Sequence, residues 1–394
     1  MCRGRSADIV FVKREADGLP ATRARVEWTA RQIHDPVWRL RYLQSLVRGT
    51  PTHARWRTRK IIGLLALSAV VLVVAPLSIR SMGAVGVPPP EPAPLPVPRL
   101  EPARIETVSA SSAQVWQVEK TEDFETYSNG LRIENQFAVG HRPRAYVALS
   151  YGSDGTGGEH QTDPVGIVYH PTESLQAPFE PSQNKVLKQA AESLIEYVRR
   201  RRCYNFLVDR FGRVYRIVHE SDAADHAGHS VWADESHYYV GLNDSFIGVS
   251  FEAETEAGET LSGVSLAQIH AAAVLTEMLR SRYKIPAGNC VTHAQVSVNP
   301  ANMRIGYHVD WASSFPFDKL GLPDNYATPS PAVSLFGFAF DEHFARRAGV
   351  RLASGVLEAE RALVSHAQAA HLSLPAYRKE LQGRYLRLTA RHRR

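Results

Sequence analysis

The 394-residue chain has little cysteine, only Cys2, Cys203 and Cys290. That excludes a disulfide-dense mini-scaffold and any zinc cluster built on four thiolates. Beyond residue 60 it also lacks a surplus of positive charge. Residues 1–60 carry 14 Lys and Arg against 5 Asp and Glu, whereas the rest carry 32 against 35. The basic character therefore belongs to the N-terminal arm, and the remainder gives no electrostatic ground for binding nucleic acid. With 44% hydrophobic and 22% charged residues, the composition excludes wholesale disorder and collagen-like fibres. The length fits two or three units, one large enough for a substantial core.

One long apolar run interrupts this composition. Residues 61–79, IIGLLALSAVVLVVAPLSI, contain no charge. At 1.5 Å per residue they reach about 28 Å as a helix, close to the hydrocarbon thickness of a bilayer. Arg55, Arg57, Arg59 and Lys60 precede the run and Arg80 alone follows it. Positive charge stays on the cytoplasmic side, so the expected topology is a cytoplasmic arm (1–60), one transmembrane helix (61–79) and the rest outside. Residues 88–102 include eight prolines. They favour polyproline II and read as a spacer of roughly 45 Å. Residues 80–140 are taken as this stalk plus an ill-defined lead-in, with β-like pieces at 114–118 and 130–137.

From 141 to 323 apolar runs alternate with two helical patterns. Strands are expected at Ala145–Ser150, Val165–Tyr169 and Phe246–Ala253, with a short one at Cys290–His293. A hairpin is expected from Asn205–Asp209 and Arg213–Val218. Leu187, Ala191, Leu194 and Val198 recur at helical spacing within Ser182–Arg202, and Ser265 to Gln268 is a capping box opening a second helix. The expected fold class is α/β, a mixed central sheet flanked by helices. Residues 324–394 read as a helical extension with a basic end.

The chemistry-bearing residues stand at strand ends. His170 closes VGIVYH, His293 closes CVTH, and Asp310 follows in GYHVDW. Two imidazoles and a carboxylate suit catalytic Zn²⁺, which keeps a fourth position open for water. Spacing does not single them out, because His219, His226, His229, His237, His270 and His308 are also available.

The ordered motifs VGIVYHPTES, YNFLVDRFGRVYRIV, HAGHSVW, NDSFIGVSFEAE and THAQVSVNP…GYHVDWASSFPF resemble the zinc-dependent N-acetylmuramoyl-L-alanine amidases of the type-2 amidase and peptidoglycan recognition protein superfamily, over roughly 160–323. The resemblance implies a hydrolase that uses zinc to cleave the amide between N-acetylmuramic acid and L-alanine. It also implies a peptidoglycan substrate beyond the bacterial inner membrane, in keeping with the expected anchor. It implies His170, His293 and Asp310 as zinc ligands and Tyr204 as a catalytic residue. The residue two before the third ligand, a Lys in the family that stabilises the oxyanion, is His308 here, and His308 also stands as an alternative third ligand. The family's strand glutamate corresponds to Ser250 or, two residues on, Glu252, which is the better general-base candidate. Trp311-Ala312 replaces the usual Pro-Gly after the ligand, and Asn299–Ile305 lengthens the loop before it. A non-catalytic muropeptide-binding module and an envelope scaffold are the competing classes. Cys203 and Cys290 are able to pair in an oxidising compartment or to stand as separate buried thiols.

Overall fold

A computed structural model describes residues 114–151, 158–174, 176–254, 264–340 and 342–392. The arm, the apolar run 61–79 and the proline-rich spacer lie outside these residues. Among the described residues no helix is long and apolar enough to cross a membrane.

The strands, in chain order, are β1 (Gln117–Lys120), β2 (Phe124–Tyr127), β3 (Arg132–Glu134), β4 (Arg142–Pro143), β5 (Tyr146–Ser150), β6 (Gly158–Gln161), β7 (Gly166–Pro171), β8 (Phe206–Val208), β9 (Val214–Arg216), β10 (Asp222–Ala223), β11 (Val231–Ala233), β12 (His237–Val240), β13 (Phe246–Phe251) and β14 (Cys290–Thr292). The helices are α1 (Asn184–Arg201), α2 (Leu266–Tyr283), the short α3 (His293–Val296), α4 (Pro331–Phe336), α5 (Glu342–Ala369) and α6 (Leu374–His392). Eight strands form the main sheet in the order β1-β2-β3-β9-β8-β13-β7-β14. Its β8, β13, β7 and β14 are mutually parallel, and β8 with β9 forms the expected hairpin. The fold is thus mixed α/β, as the pattern of apolar runs predicts. A smaller antiparallel sheet orders β11-β12-β5-β6.

Alternation along the strands assigns the two faces. Phe206, Val208, Val249 and Phe251 pack with Ala271, Ala272, Leu275, Met278 and Leu279 of α2. Leu207, which points the other way, packs with Ile195 and Val198 of α1. Helices therefore cover both faces. The α2 capping box is present: Ser265 Oγ accepts from the Gln268 backbone and Gln268 Oε1 from the Ser265 backbone. Gln268 Nε2 also donates to the carbonyls of Val208 and Glu252. One side chain thereby starts the helix and ties it to the ends of β8 and β13. Gly212 stands in the left-handed region at φ +81°, where a Cβ would meet the Ala267 carbonyl oxygen at 2.7 Å. The β8–β9 turn needs glycine there to lie against the helix.

One region differs from the sequence expectation. The lead-in supplies β1 to β3, and β3 pairs in parallel with β9 of the main sheet. A buried ionic cluster fastens it. Arg216 on β9 donates to Glu125 Oε2 (2.9 Å) and to both Glu220 oxygens (3.0 and 2.8 Å), and it also donates to Asn135. Burial would raise the Glu125 carboxyl, but Arg216 and the Tyr127 hydroxyl hold it down at about 2. A segment of mixed local pattern becomes ordered through partners some 90 positions away. Cys290 is a free buried thiol, so the Cys203–Cys290 pairing is not made.

The C-terminal extension is helical and packs on the domain. Phe336, Phe338, Phe344, Leu352, Val356, Tyr385 and Leu388 join the main core. The long loop before Asp310 folds as a small hairpin, Val298–Asn299 against Arg304–Ile305. It is pinned to the extension by Ile305 N–H to the Ala339 carbonyl and Ala339 N–H to the Met303 carbonyl, both 2.9 Å.

Candidate metal centre

Open parallel sheets place their ligand sites at the carboxyl ends of the strands. His170 is the penultimate residue of β7, and His293 follows β14 as the first residue of α3. The step from strand to α3 is made by Thr292, whose capping box with Gln295 opens the short helix. Asp310 comes from the loop beyond. One atom each of His170, His293 and Asp310 lies within 4.8 Å of the others. Asp310 Oδ2 stands 3.1 Å from His293 Nδ1 and 3.7 Å from His170 Nδ1. No other such group of three occurs among the described residues.

The protonation states suit metal binding. Burial, then His293, push His170 down to about 3, against the opposing pull of Asp310, so its imidazole is neutral. Burial would raise Asp310, but His293 above all holds it well below the usual carboxylate range. Two ligands about 2.0–2.1 Å from a tetrahedral zinc ion stand roughly 3.3 Å apart. The two observed nitrogen–oxygen separations bracket that figure. Two imidazole nitrogens converging on one carboxylate oxygen therefore fit a zinc ion.

His308 stands outside this trio as its neighbour. Its ring stacks on that of His293 with centroids 4.5 Å apart, and its backbone N–H donates to Ser297 Oγ. Burial, then His293, lower it to about 3. It is a neutral hydrogen-bonding group rather than the standing charge of a lysine. The Tyr204 ring lies 5.1 Å from that of His170. Tyr204 occupies the left-handed region at φ +62°, an uncommon backbone for an aromatic residue. Burial, then Asp310, raise its phenol, which stays protonated.

Glu252 lies at the same strand edge but in another environment. Its Oε2 accepts from the Arg210 N–H at 3.2 Å, and burial lifts the carboxyl to about 7 despite that bond. Among the described residues no hydrogen bond or ion pair joins it to the trio. Ser250 pairs in register with His170, yet its hydroxyl is spent on the Phe206 carbonyl.

Two features had no local signature. Trp311 stands at φ +50°, buried edge-on against Phe251 and Phe315. The Tyr326 hydroxyl donates to its carbonyl (2.7 Å) and accepts from Phe315 N–H. A buried tryptophan thus makes the turn that aims Asp310 without a Pro-Gly. His226, one histidine among several in the sequence, has Nδ1 3.2 Å from His170 Nε2. The trace it leaves is Gly248 inside β13, where a Cβ would meet the His226 ring at 2.6 Å. A glycine within a strand marks such a close approach.

Fold and site together define a class: an α/β domain gathering two imidazoles and a carboxylate at the carboxyl edge of a parallel sheet. Residues 160–305 match the model of the N-acetylmuramoyl-L-alanine amidase family. That segment is an amidase domain, and its activity is amide hydrolysis of peptidoglycan. The match ends before Asp310. No curated protein matches the chain. Among solved structures it is similar to the N-acetylmuramoyl-L-alanine amidase LysC from Clostridium intestinale URNW, with 20% identity over 46% of this chain and 93% of that one and a TM-score of 0.26. The N-acetylmuramyl-L-alanine amidase AmiD from E. coli, in complex with anhydro-N-acetylmuramic acid-L-Ala-D-gamma-Glu-L-Lys, shares 23% identity over 40% of this chain and 56% of that one, with a TM-score of 0.30. AmpDh3 from Pseudomonas aeruginosa, in complex with an anhydromuramic pentapeptide, shares 22% over 55% and 80%, with a TM-score of 0.31.

Proposed function

We propose that the protein is a membrane-anchored, zinc-dependent N-acetylmuramoyl-L-alanine amidase acting on peptidoglycan outside the bacterial inner membrane. The convergence of His170, His293 and Asp310 within 4.8 Å, inside and just beyond the segment of family likeness, carries the reading. A zinc ion would be held by His170, His293 and Asp310 and would supply Lewis acidity and the activation of water near neutral pH.

The chain's own groups supply the rest. His170 and His293 offer ring nitrogens, and Asp310 its negative charge. The bond to break joins the lactyl carbonyl carbon of N-acetylmuramic acid to the alanine nitrogen. Water adds its oxygen to that carbon and gives up a proton, and the departing amine takes one up. Tyr204, a phenol in its protonated form beside His170, is placed to donate. Glu252, which changes protonation near pH 7, is the carboxylate suited to accept. His308 offers the developing oxyanion a hydrogen bond from a neutral ring.

The anchor rests on sequence. The uncharged run 61–79 with four positive residues just before it supports a single crossing with residues 1–60 inside. The catalytic domain then faces the compartment that holds the wall. The decisive experiment is His170→Ala assayed on purified sacculi, with new ends identified by mass spectrometry. Stem-peptide release should fall by several decades together with zinc content, and undiminished release rejects the assignment.

A further inference from the structure

The two imidazoles of the trio are not equivalently supported. His170 is held through Nε2, 3.2 Å from His226 Nδ1, while its Nδ1 faces Asp310 Oδ2 at 3.7 Å. His226 is itself held on both sides, because its Nε2 lies 3.2 Å from the Phe246 carbonyl oxygen. His293 has only Asp310, through Nδ1 at 3.1 Å. Its Nε2 is buried with no hydrogen-bond partner among the described residues.

A carbonyl oxygen only accepts, so the proton on this side of His226 sits on Nε2. Both residues are 1% exposed, and a cationic His226 there would be a buried charge facing another imidazole. In the neutral ring Nδ1 is then the acceptor, and His170 Nε2 must be the donor. That leaves the lone pair of His170 on Nδ1, directed at Asp310. The distances agree: 3.7 Å is too long for a hydrogen bond, whereas His293 Nδ1 at 3.1 Å is close enough to donate one.

We propose that His226 is a positioning residue: through the Phe246 carbonyl it locks His170 as the Nε2–H tautomer, so that Nδ1 stands ready for a divalent cation before any cation arrives. This rests on the metal reading above. His293 has no equivalent partner, so it must give up its Nδ1 proton when the ion binds, and the preorganisation is one-sided. The surroundings are built for this role. Asn243 Oδ1 accepts from the backbone N–H groups of His226 and Ala227 (3.0 and 2.6 Å), which fixes the loop, and Gly248 leaves room for the ring. Groups that orient a metal-bound histidine are commonly worth about 10–100-fold in metal affinity.

The test uses the purified full-length chain stripped of metal by a chelator. Long-range proton–nitrogen NMR of the imidazoles, with His170 assigned by its loss in His170→Ala, reads the tautomer directly and needs no His226 variant. The expected result is protonated Nε2 and bare Nδ1 at His170; a protonated Nδ1 overturns the proposal. Zinc affinity by chelator competition gives the second reading. His226→Phe, which keeps the ring but not the acceptor, should weaken zinc binding about 10–100-fold. His226→Asn, which retains an acceptor near the Nδ1 position, should recover most of that loss. Zinc uptake by the wild type with unchanged affinity in His226→Phe overturns the role of His226 alone. No zinc uptake by the wild type overturns the metal reading, and the preorganising role falls with it.

Discussion

Replacing Glu252 by Gln should make the protein more stable than the wild type at neutral pH, by an amount that depends on pH. The residue is 3% exposed and its pKa rises from 4.5 to about 7, chiefly because burial penalises the charge. Between those values the folded protein keeps a proton that the unfolded chain has released. The stability from this group is therefore fully present below pH 4.5 and is lost as pH rises through 7. Each unit in that window costs about 1.4 kcal/mol, so the whole shift costs roughly 3 kcal/mol. The amide of Glu252→Gln has no such titration and retains an oxygen for the Arg210 N–H. The Tm difference, variant minus wild type, should grow by about 6–12 °C between roughly pH 4.5 and pH 8, since each kcal/mol moves a domain of this size by roughly 2–4 °C. Calorimetry on both full-length proteins at half-unit pH steps measures it, and shifts from other groups cancel in the difference. A difference that stays flat across the range, or falls as pH rises, refutes the reasoning.

Tyr204→Phe keeps the ring against His170 and removes only the hydroxyl; zinc content should hold while kcat on sacculi drops about 100-fold or more, and an unchanged kcat removes Tyr204 from the chemistry. Trp311→Ala empties a buried aromatic site and should cost about 3–5 kcal/mol by urea unfolding, with weaker zinc binding because Asp310 loses its anchored turn. Arg216→Met leaves buried Glu220 without its cation and Glu125 with only the exposed Lys120 at 3.3 Å, and should cost roughly 3–5 kcal/mol; an unaltered unfolding midpoint would show that the lead-in strands are not held by this cluster.

What was legible in the sequence was what depends on neighbours along the chain. Helical spacing placed α1 within two residues at its start, and the Ser265 and Gln268 pair marked the start of α2. Apolar runs closed by His170 and His293 placed two of the trio at strand ends, because a strand buried on both faces must be apolar until it reaches the surface. Asp310 came from the motif register rather than from any local pattern.

Contacts between distant segments were decided only by the tertiary structure. Lead-in strands of mixed pattern are sorted into the sheet by Arg216, whose partners Glu125 and Glu220 lie on either side of it in sequence. The choice of Asp310 over His308 as third member of the trio is a matter of direction: Trp311 in a left-handed conformation turns the aspartate inwards while His308 stacks flat on His293. The residue that sets the lone pair of His170 comes from a loop 56 positions away. A sequence specifies which groups are able to ionise, donate or ligate. Which nitrogen carries the proton depends on a carbonyl and a ring meeting in the dry interior, where an unpaired polar atom costs too much to tolerate.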